Sequence, residues 1–330
     1  MNSLVLTPLQ ADDPCDRAAS LAIRITDLYD TLRTVLPPTC LLRRDEPLAK
    51  RTTLRVGGPA DLLVEPDSEN SLRVVMELCA QLDLPSCVIG RGSNLVIRDG
   101  GIRGVVIVLS HPFFCSIETQ PGRLFAGAGA RLKAIAVAAR QAGIGGLEFL
   151  EGIPGSMGGA LRMNAGAMGR WTFDVVERLR YLGPDGEIHE LAGAEVQADY
   201  RNCPLLRSGI ALAAILQGEL ADPETVRVRM DAYSKKRWSS QPSQPSAGCT
   251  FKNPSVSQPA GRLIDELGLK NLRVGGASVS DVHANFLVND GTATAADILQ
   301  LMALVRARVQ EMRGIDLHPE VEIVGEDLPS

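Results

Sequence analysis

Seven glycines fall within GLEFLEGIPGSMGGALRMNAGAMG, residues 146–169, and five more within IGRGSNLVIRDGGIRG, residues 89–104. Glycine has no Cβ and a large backbone entropy, so runs this dense do not form helix or strand interiors. They must be loops and element ends, and they let another backbone or a ligand approach the main chain closely.

The first run follows SCVIG (86–90), a strand-like segment. Gly90 and Gly92 permit a sharp turn, after which the amides of Arg91 to Asn94 can point into one concavity, a nest that suits phosphate oxygens. Ser93 and Asn94 add side-chain donors. The glycine spacing is not that of a Rossmann fingerprint, and no GK[ST] follows to make a Walker A loop. A tight turn explains this run equally well. In the second run, Gly155-Ser156 opens a short helix at Gly158-Gly159-Ala160, whose N–H groups can face an anion. Close packing of a helix on a sheet is the competing reading there.

Elsewhere the chain alternates. Leu21, Ile25, Leu28, Leu32 and Val35 mark a helix over 17–36, expected to pack outside the first domain. DLLVE (61–65), a helix face at Leu72, Val75, Leu78 and Leu82, then SCVIG and GVVIVL (104–109) describe a small α/β unit. RLFAGAG reads as a strand and 132–142 as a helix. Strands at 174–183 and 186–191 are joined by the hairpin signal GPDG, and 209–220 is a buried strand. A charged helix then runs from 222 to about 238. A Ser/Pro/Gln-rich loop follows it, and a last α/β segment carries a helix over 294–313 and a closing strand around VEIVG.

A chain of 330 residues has room for two or three domains, with joints expected near 110 and 222. A net charge of −5 argues against a general nucleic-acid binder. No apolar run approaches the roughly 20 residues of a membrane helix, and no secretory signal is legible at the start. Seven scattered cysteines without a CxxC fit a reducing cytoplasm, and four isolated histidines give no metal signature.

Eight motifs in order give a more specific reading: TTLRVGGPAD (52–61), GRGSNLVIRDGG (90–101), the second glycine run, YRNC (200–203), QPSQPSAGCTFKNP (241–254), AGRLIDELGLK (260–270), GGASVSDVHANFLVN (275–289) and LHPEVEIVG (317–325). Together they resemble the UDP-N-acetylenolpyruvoylglucosamine reductase family. The shorter subclass fits best, because no Tyr-bearing insertion precedes Arg237. The resemblance implies an α+β protein with a two-part FAD-binding fold of the vanillyl-alcohol-oxidase (PCMH) type and a C-terminal α/β substrate-binding domain. The implied division is 45–110, 111–221 and 222–330, with 1–44 an N-terminal extension that the motifs do not cover. It further implies non-covalent FAD, since the first glycine loop lacks the His or Cys that tethers flavin elsewhere in the fold. The expected reductant is NADPH and the expected substrate UDP-N-acetylglucosamine enolpyruvate, with a monomer the expected state and no nucleic-acid or membrane partner.

The same resemblance assigns the site. Arg55 and Gly57 would line the flavin cleft. Gly90, Arg91, Gly92, Ser93 and Asn94 would hold the cofactor, with Gly152, Ile153, Pro154, Gly155 and Ser156 and then Gly158, Gly159 and Ala160. Asn164, Ala165 and Gly166 would lie on the same wall. Arg201 would meet the substrate carboxylate, a role that suits its planar fork. Glu320 would manage the developing enolate, although Glu322 shares its strand face by alternation. Cys249 stands where the family commonly has the serine that protonates C2; the readings as nucleophile, metal ligand or inert packed thiol carry less. Near its ordinary pKa of about 8.5 a thiol is a better acid than a hydroxyl, at the expense of sensitivity to oxidation and alkylation. Tyr200, Arg237, Lys252, Asn253 and His283 would contact substrate, with a solvated helix end competing for Arg237 and a core histidine for His283. Cys203 departs from the serine of the family's Tyr-Arg-x-Ser motif. A flavin-binding module without catalysis and an FAD oxidase are the alternatives.

Overall fold

The computed structural model describes residues 14–255 and 257–328. Its first layer is a four-stranded sheet in the order Leu41–Pro47, Pro59–Glu65, Ile102–Val108, Ser86–Ile89. The last three strands are parallel neighbours, and Leu41–Pro47 runs antiparallel along the edge. That edge strand was not legible: LLRRDEP shows no period-2 pattern, and its charged middle is exposed. Helices α1 (Pro14–Val35) and α2 (Glu69–Gln81) belong to this layer, α2 capped by the Ser68 hydroxyl, which accepts from the Ser71 N–H at 3.2 Å. Leu28 and Leu32 of α1 are fully buried against the core. Alternate residues of the sheet feed opposite faces, Leu62, Val64, Val105 and Ile107 on one and Leu63, Val106 and Val108 on the other.

The second layer is an antiparallel sheet ordered Ile188–Ala192, Val176–Leu182, Ile210–Gln217, Arg123–Gly127, Ile117–Gln120. Its GPDG hairpin closes with the Gly183 N–H donating to the Glu187 carbonyl at 2.8 Å. Helices α3 (Leu132–Gln141), α4 (Met157–Arg162), α5 (Leu205–Ser208) and α6 (Pro223–Ser240) accompany it. One apolar cluster runs from Ile25 to Met230, so the core does not divide at the joint expected near 110.

The third layer pairs Ser246–Cys249, Phe286–Asn289, Ala277–Val279 and Arg273–Val274, with α7 (Ala260–Glu266) and α8 (Ala295–Arg313). Its core also takes in Leu54, Val56 and Val96 from the first layer. The closing strand, Glu322–Val324, does not join this sheet. It pairs in parallel with Leu95–Ile97, inside the first glycine run. Close approach explains the change: a Cβ at Gly100 would sit 2.4 Å from the Asp327 carbonyl oxygen, and one at Gly58 2.2 Å from that of Asp99. The Gly-Gly of RDGG thus admits the returning chain rather than an anion. No helix among the described residues is long and apolar enough to cross a membrane.

Asp99 fastens the layers from the other side. Its two carboxylate oxygens accept the Ala295 and Ala296 N–H groups of α8, each at 2.8 Å. These are two of the amides that a helix start leaves unpaired, at the positive end of its dipole. Asp99→Ala is therefore expected to destabilise the protein by about 1–2 kcal/mol, read as a lower urea midpoint at unchanged slope; an unmoved midpoint would show that the cap is dispensable.

Candidate active site

A cavity of about 1590 Å³ opens between the two glycine runs, the 241–249 loop and the segment before the closing strand. Single small-ligand sites span roughly 300–1,000 Å³, so this one has room for a cofactor and a substrate together. Its wall holds Arg55, Gly90 to Asn94, Gly152 to Ser156, Gly158 to Ala160, Ala165, Gly166, Arg201, Arg237, Cys249 and Glu320.

Bare backbone faces the cavity where the two runs meet. A Cβ at Gly90 would lie 2.7 Å from Ser156 Oγ, one at Gly155 3.3 Å from Ser93 Oγ, and one at Gly152 would reach only the Ala167 Cβ at 3.9 Å. The start of α4 is less open than its sequence suggests. The Met157 and Gly158 N–H groups already donate to the Ala130 and Ala128 carbonyls at 2.9 and 2.8 Å, because 130–131 pairs beside Ser156. Gly158 therefore serves packing on Ala128 as much as any ligand.

Six expected site residues lie off this wall. Gly57 lets the chain pass Ile97, whose Cβ would be 2.7 Å from an added methyl. Asn164 is buried, accepting from the Phe173 N–H at 3.1 Å and donating to the Asp199 carbonyl at 3.3 Å, which braces the turn before Tyr200. Asn253 Oδ1 accepts the Ala260 N–H at 3.0 Å and fixes the start of α7. The Lys252 side chain is exposed. His283 Nδ1 accepts the Asn285 N–H at 3.2 Å, and burial holds its pKa below the usual value, so it is a neutral turn histidine against Phe286. Tyr200 sits at the rim, 47% exposed, its hydroxyl 3.5 Å from Glu320 Oε2.

Nine cationic side chains line the cavity (Lys50, Arg51, Arg55, Arg91, Arg131, Arg162, Arg201, Arg207 and Arg237) against the carboxylates Glu320 and Glu322. Arg51 is held by Glu46 and Glu65 at 3.1 and 2.8 Å. Arg91 and Arg131 press on each other instead: burial first and the Arg131 charge second lower the Arg91 pKa. Two arginines lining the cavity beside exposed backbone suit a diphosphate. Arg131 went unread in the sequence because nothing local to GAGARL marks it.

Arg201 adopts φ 57, a strained left-handed conformation for a residue with a side chain. Its Nε donates to Glu320 Oε1 at 2.5 Å, and its guanidinium stands 5.7 and 5.1 Å from the Trp171 and Tyr200 ring centres. Cys203 is fully buried beneath this turn, its N–H donating to the Arg162 carbonyl. Glu322 is committed elsewhere, accepting from Arg207 Nη1 at 2.6 Å with Arg162 3.6 Å away. The two glutamates thus serve different guanidiniums, and only Glu320 belongs to Arg201.

Cys249 reaches the same place through main-chain pairing. The Glu320 N–H donates to the Thr250 carbonyl at 2.8 Å and the Lys252 N–H to that of His318 at 2.9 Å, which lays 249–252 along 318–320. Burial pushes the Cys249 thiol up to about 12; the Glu320 charge adds to this, while Arg201 and the Asn285 side chain oppose it. This is not the ordinary thiol expected from the sequence.

Two family models match the chain: an FAD binding domain over residues 60–192, and the UDP-N-acetylenolpyruvoylglucosamine reductase C-terminal domain over 241–324. A UDP-N-acetylenolpyruvoylglucosamine reductase of Geotalea uraniireducens is 46% identical over 288 residues, covering 87% of this chain and 95% of its own. That of Bacillus subtilis is 41% identical over 284 residues, covering 85% and 93%. The crystal structure of the Thermus caldophilus enzyme superimposes with a TM-score of 0.74 at 38% identity, covering 86% of this chain and 98% of that one. With its FAD-binding and C-terminal domains matched in order, the chain belongs to the UDP-N-acetylenolpyruvoylglucosamine reductase family of oxidoreductases.

Proposed function

We propose that this protein reduces UDP-N-acetylglucosamine enolpyruvate to UDP-N-acetylmuramate for peptidoglycan synthesis, using NADPH and a non-covalent FAD. The supporting observation is the convergence of Arg201, Glu320 and Cys249 on one wall of a cavity that the two glycine runs also line. The cradle fits a dinucleotide, with its close approaches at Gly90 and Gly155 and the Arg91–Arg131 pair beside them. Bound there, FAD would supply hydride from N5 to C3 of the enolpyruvyl group. On this reading residues 45–221 hold the flavin and 222–330 present the substrate, with Arg237 facing its diphosphate.

Reduction of the enol ether leaves negative charge on C2 and its carboxylate. Arg201 gives Nε to Glu320 and keeps its terminal N–H groups for that carboxylate. Glu320 orients this guanidinium and, through Tyr200, the rim. Cys249 supplies the proton to C2: a thiol pushed up to about 12 is fully protonated at neutral pH, so the acid is loaded before each turnover.

The purified protein is expected to be yellow, to bleach with NADPH and to recolour on adding the enolpyruvyl substrate; bleaching without substrate-dependent recolouring would refute the reductase reading. Cys249→Ala should slow recolouring by about 10²- to 10⁴-fold while bleaching persists, and Cys249→Ser should retain much of the rate. Wild-type recolouring by the alanine variant would remove Cys249 from the mechanism. Alkylation gives an independent check, because only the thiolate reacts. Iodoacetamide labelling of the Cys249 peptide should climb about tenfold per pH unit through pH 9 and 10, where a thiol of ordinary pKa near 8.5 has levelled off. A plateau near pH 9 would contradict the burial argument.

A further inference from the structure

Glu320 is gripped by its main chain from two sides. Its N–H donates to the Thr250 carbonyl at 2.8 Å, and its own carbonyl accepts from Asn94 Nδ2 at 3.2 Å. A carbonyl can only accept, so the amide nitrogen of Asn94 must be the atom facing it. Asn94 takes hold again two residues on, its main-chain oxygen accepting the Glu322 N–H at 2.9 Å. The parallel ladder itself begins at Glu322 paired with Leu95, so it does not fix the peptide of residue 320. The carbonyl of residue 320 is left to Asn94.

We infer that Asn94 is a positioning residue for Glu320: its side-chain amide sets the plane from which the carboxylate meets Arg201 beside Cys249. Asn94 sits in the first glycine run, two residues after Gly92, whose φ of 59 and tight approach to the Arg51 carbonyl leave the turn little freedom. Placement of the carboxylate is thereby tied to the loop that lines the cofactor cavity. Without the strut, the peptide of residue 320 can rotate about the remaining Thr250 bond, carrying the carboxylate off Arg201 and away from the sulfur. Misplacements of this size change rates far more than they change binding.

This role rests on the reductase reading, and a double-mutant cycle separates the two. Each variant is saturated with FAD, its occupancy read from the visible spectrum, and the recolouring step is timed from pre-reduced flavin. Asn94→Ala should slow that step by about 10- to 100-fold with little change in KM for the enolpyruvyl substrate. In a Glu320→Gln background, where the carboxylate is already lost, the same change should cost less than about 2-fold. Asn94→Asp, nearly the same size, replaces the donor with an acceptor; it should be slow at pH 8 and partly recover as the pH falls and the introduced carboxyl protonates into a donor. An Asn94→Ala loss that persists undiminished in the Glu320→Gln background, or a wild-type rate in either Asn94 variant, would overturn the strut while leaving the reductase reading in place. If the wild type itself does not recolour with substrate, both fall together.

Discussion

Three residues of parallel ladder, Leu95–Ile97 against Glu322–Val324, decide where the end of the chain goes, and the active geometry follows from that pairing. Such a short ladder is marginal alone. Its neighbours make up the difference: the Gly100 N–H donates to the Glu326 carbonyl at 2.8 Å and the Glu326 N–H to that of Gly101 at 2.9 Å. Thr53 Oγ1 donates to the Ser246 carbonyl at 2.7 Å, and the buried Asn289 side chain donates to the Leu54 carbonyl at 3.0 Å. Backbone-to-backbone and buried polar contacts of this kind are strict about distance, so the last layer has little freedom to slide over the first. The Arg98–Asp327 pair adds little, being largely exposed. Held this way, Pro319 lies beside Phe251, which brings Glu320 within reach of Arg201.

The cavity inverts the charge balance of the molecule. An acidic chain, net −5, has lined this cavity with arginines. Both carboxylates on that wall are locked to guanidiniums, so what remains for a ligand is positive field. In a partly enclosed site that field is screened less than at the surface, which favours polyanions such as diphosphates. The Arg201–Glu320 pair has a different use. Its side chains are 21% and 9% exposed, a depth at which desolvation consumes much of the attraction between them, so it adds little to stability. Its value is geometric: it holds a guanidinium of a left-handed turn against the Trp171 and Tyr200 rings.

Much of the architecture could be read in advance because it is written locally. Leu72 and Val75 on one helix face, the GPDG hairpin and the apolar run from Ile210 to Gln217 each carry their own periodicity or turn chemistry. The edge strand Leu41–Pro47 escaped because half its residues face water, and the closing strand was recognised without its partner, since no local pattern names a neighbour 227 positions away (322 − 95). The site divides in the same way. Glycine density marked the cradle, yet Arg201 and Glu320, read without the family motifs, look like ordinary solvated residues; their meaning lies in a contact spanning 119 positions. Arg131, Trp171 and the strut at Asn94 are likewise products of the fold. Lys252, Asn253 and His283 neighbour motif residues in sequence yet lie off the cavity wall: Lys252 is exposed, Asn253 accepts the N–H that starts α7, and His283 accepts within its own turn.

The proposed role of Cys249 as the acid carries an apparent conflict, because a thiol buried enough to be pushed up to about 12 is a weaker acid than a free one. The proposed reaction resolves it. Carbon next to a carboxylate, once it has accepted hydride at its neighbour, is far more basic than a thiolate, so transfer runs downhill even from a weak acid. What the step requires is a proton in place, and burial guarantees that by suppressing the thiolate. The same suppression removes the reactive form, so the oxidation and alkylation expected of an exposed thiol are held back in the resting protein. In that proposed role the burden would reverse after transfer: burial and Glu320 disfavour the thiolate, Arg201 and Asn285 partly offset them, and the balance would favour a reprotonated sulfur over a nucleophile beside the product.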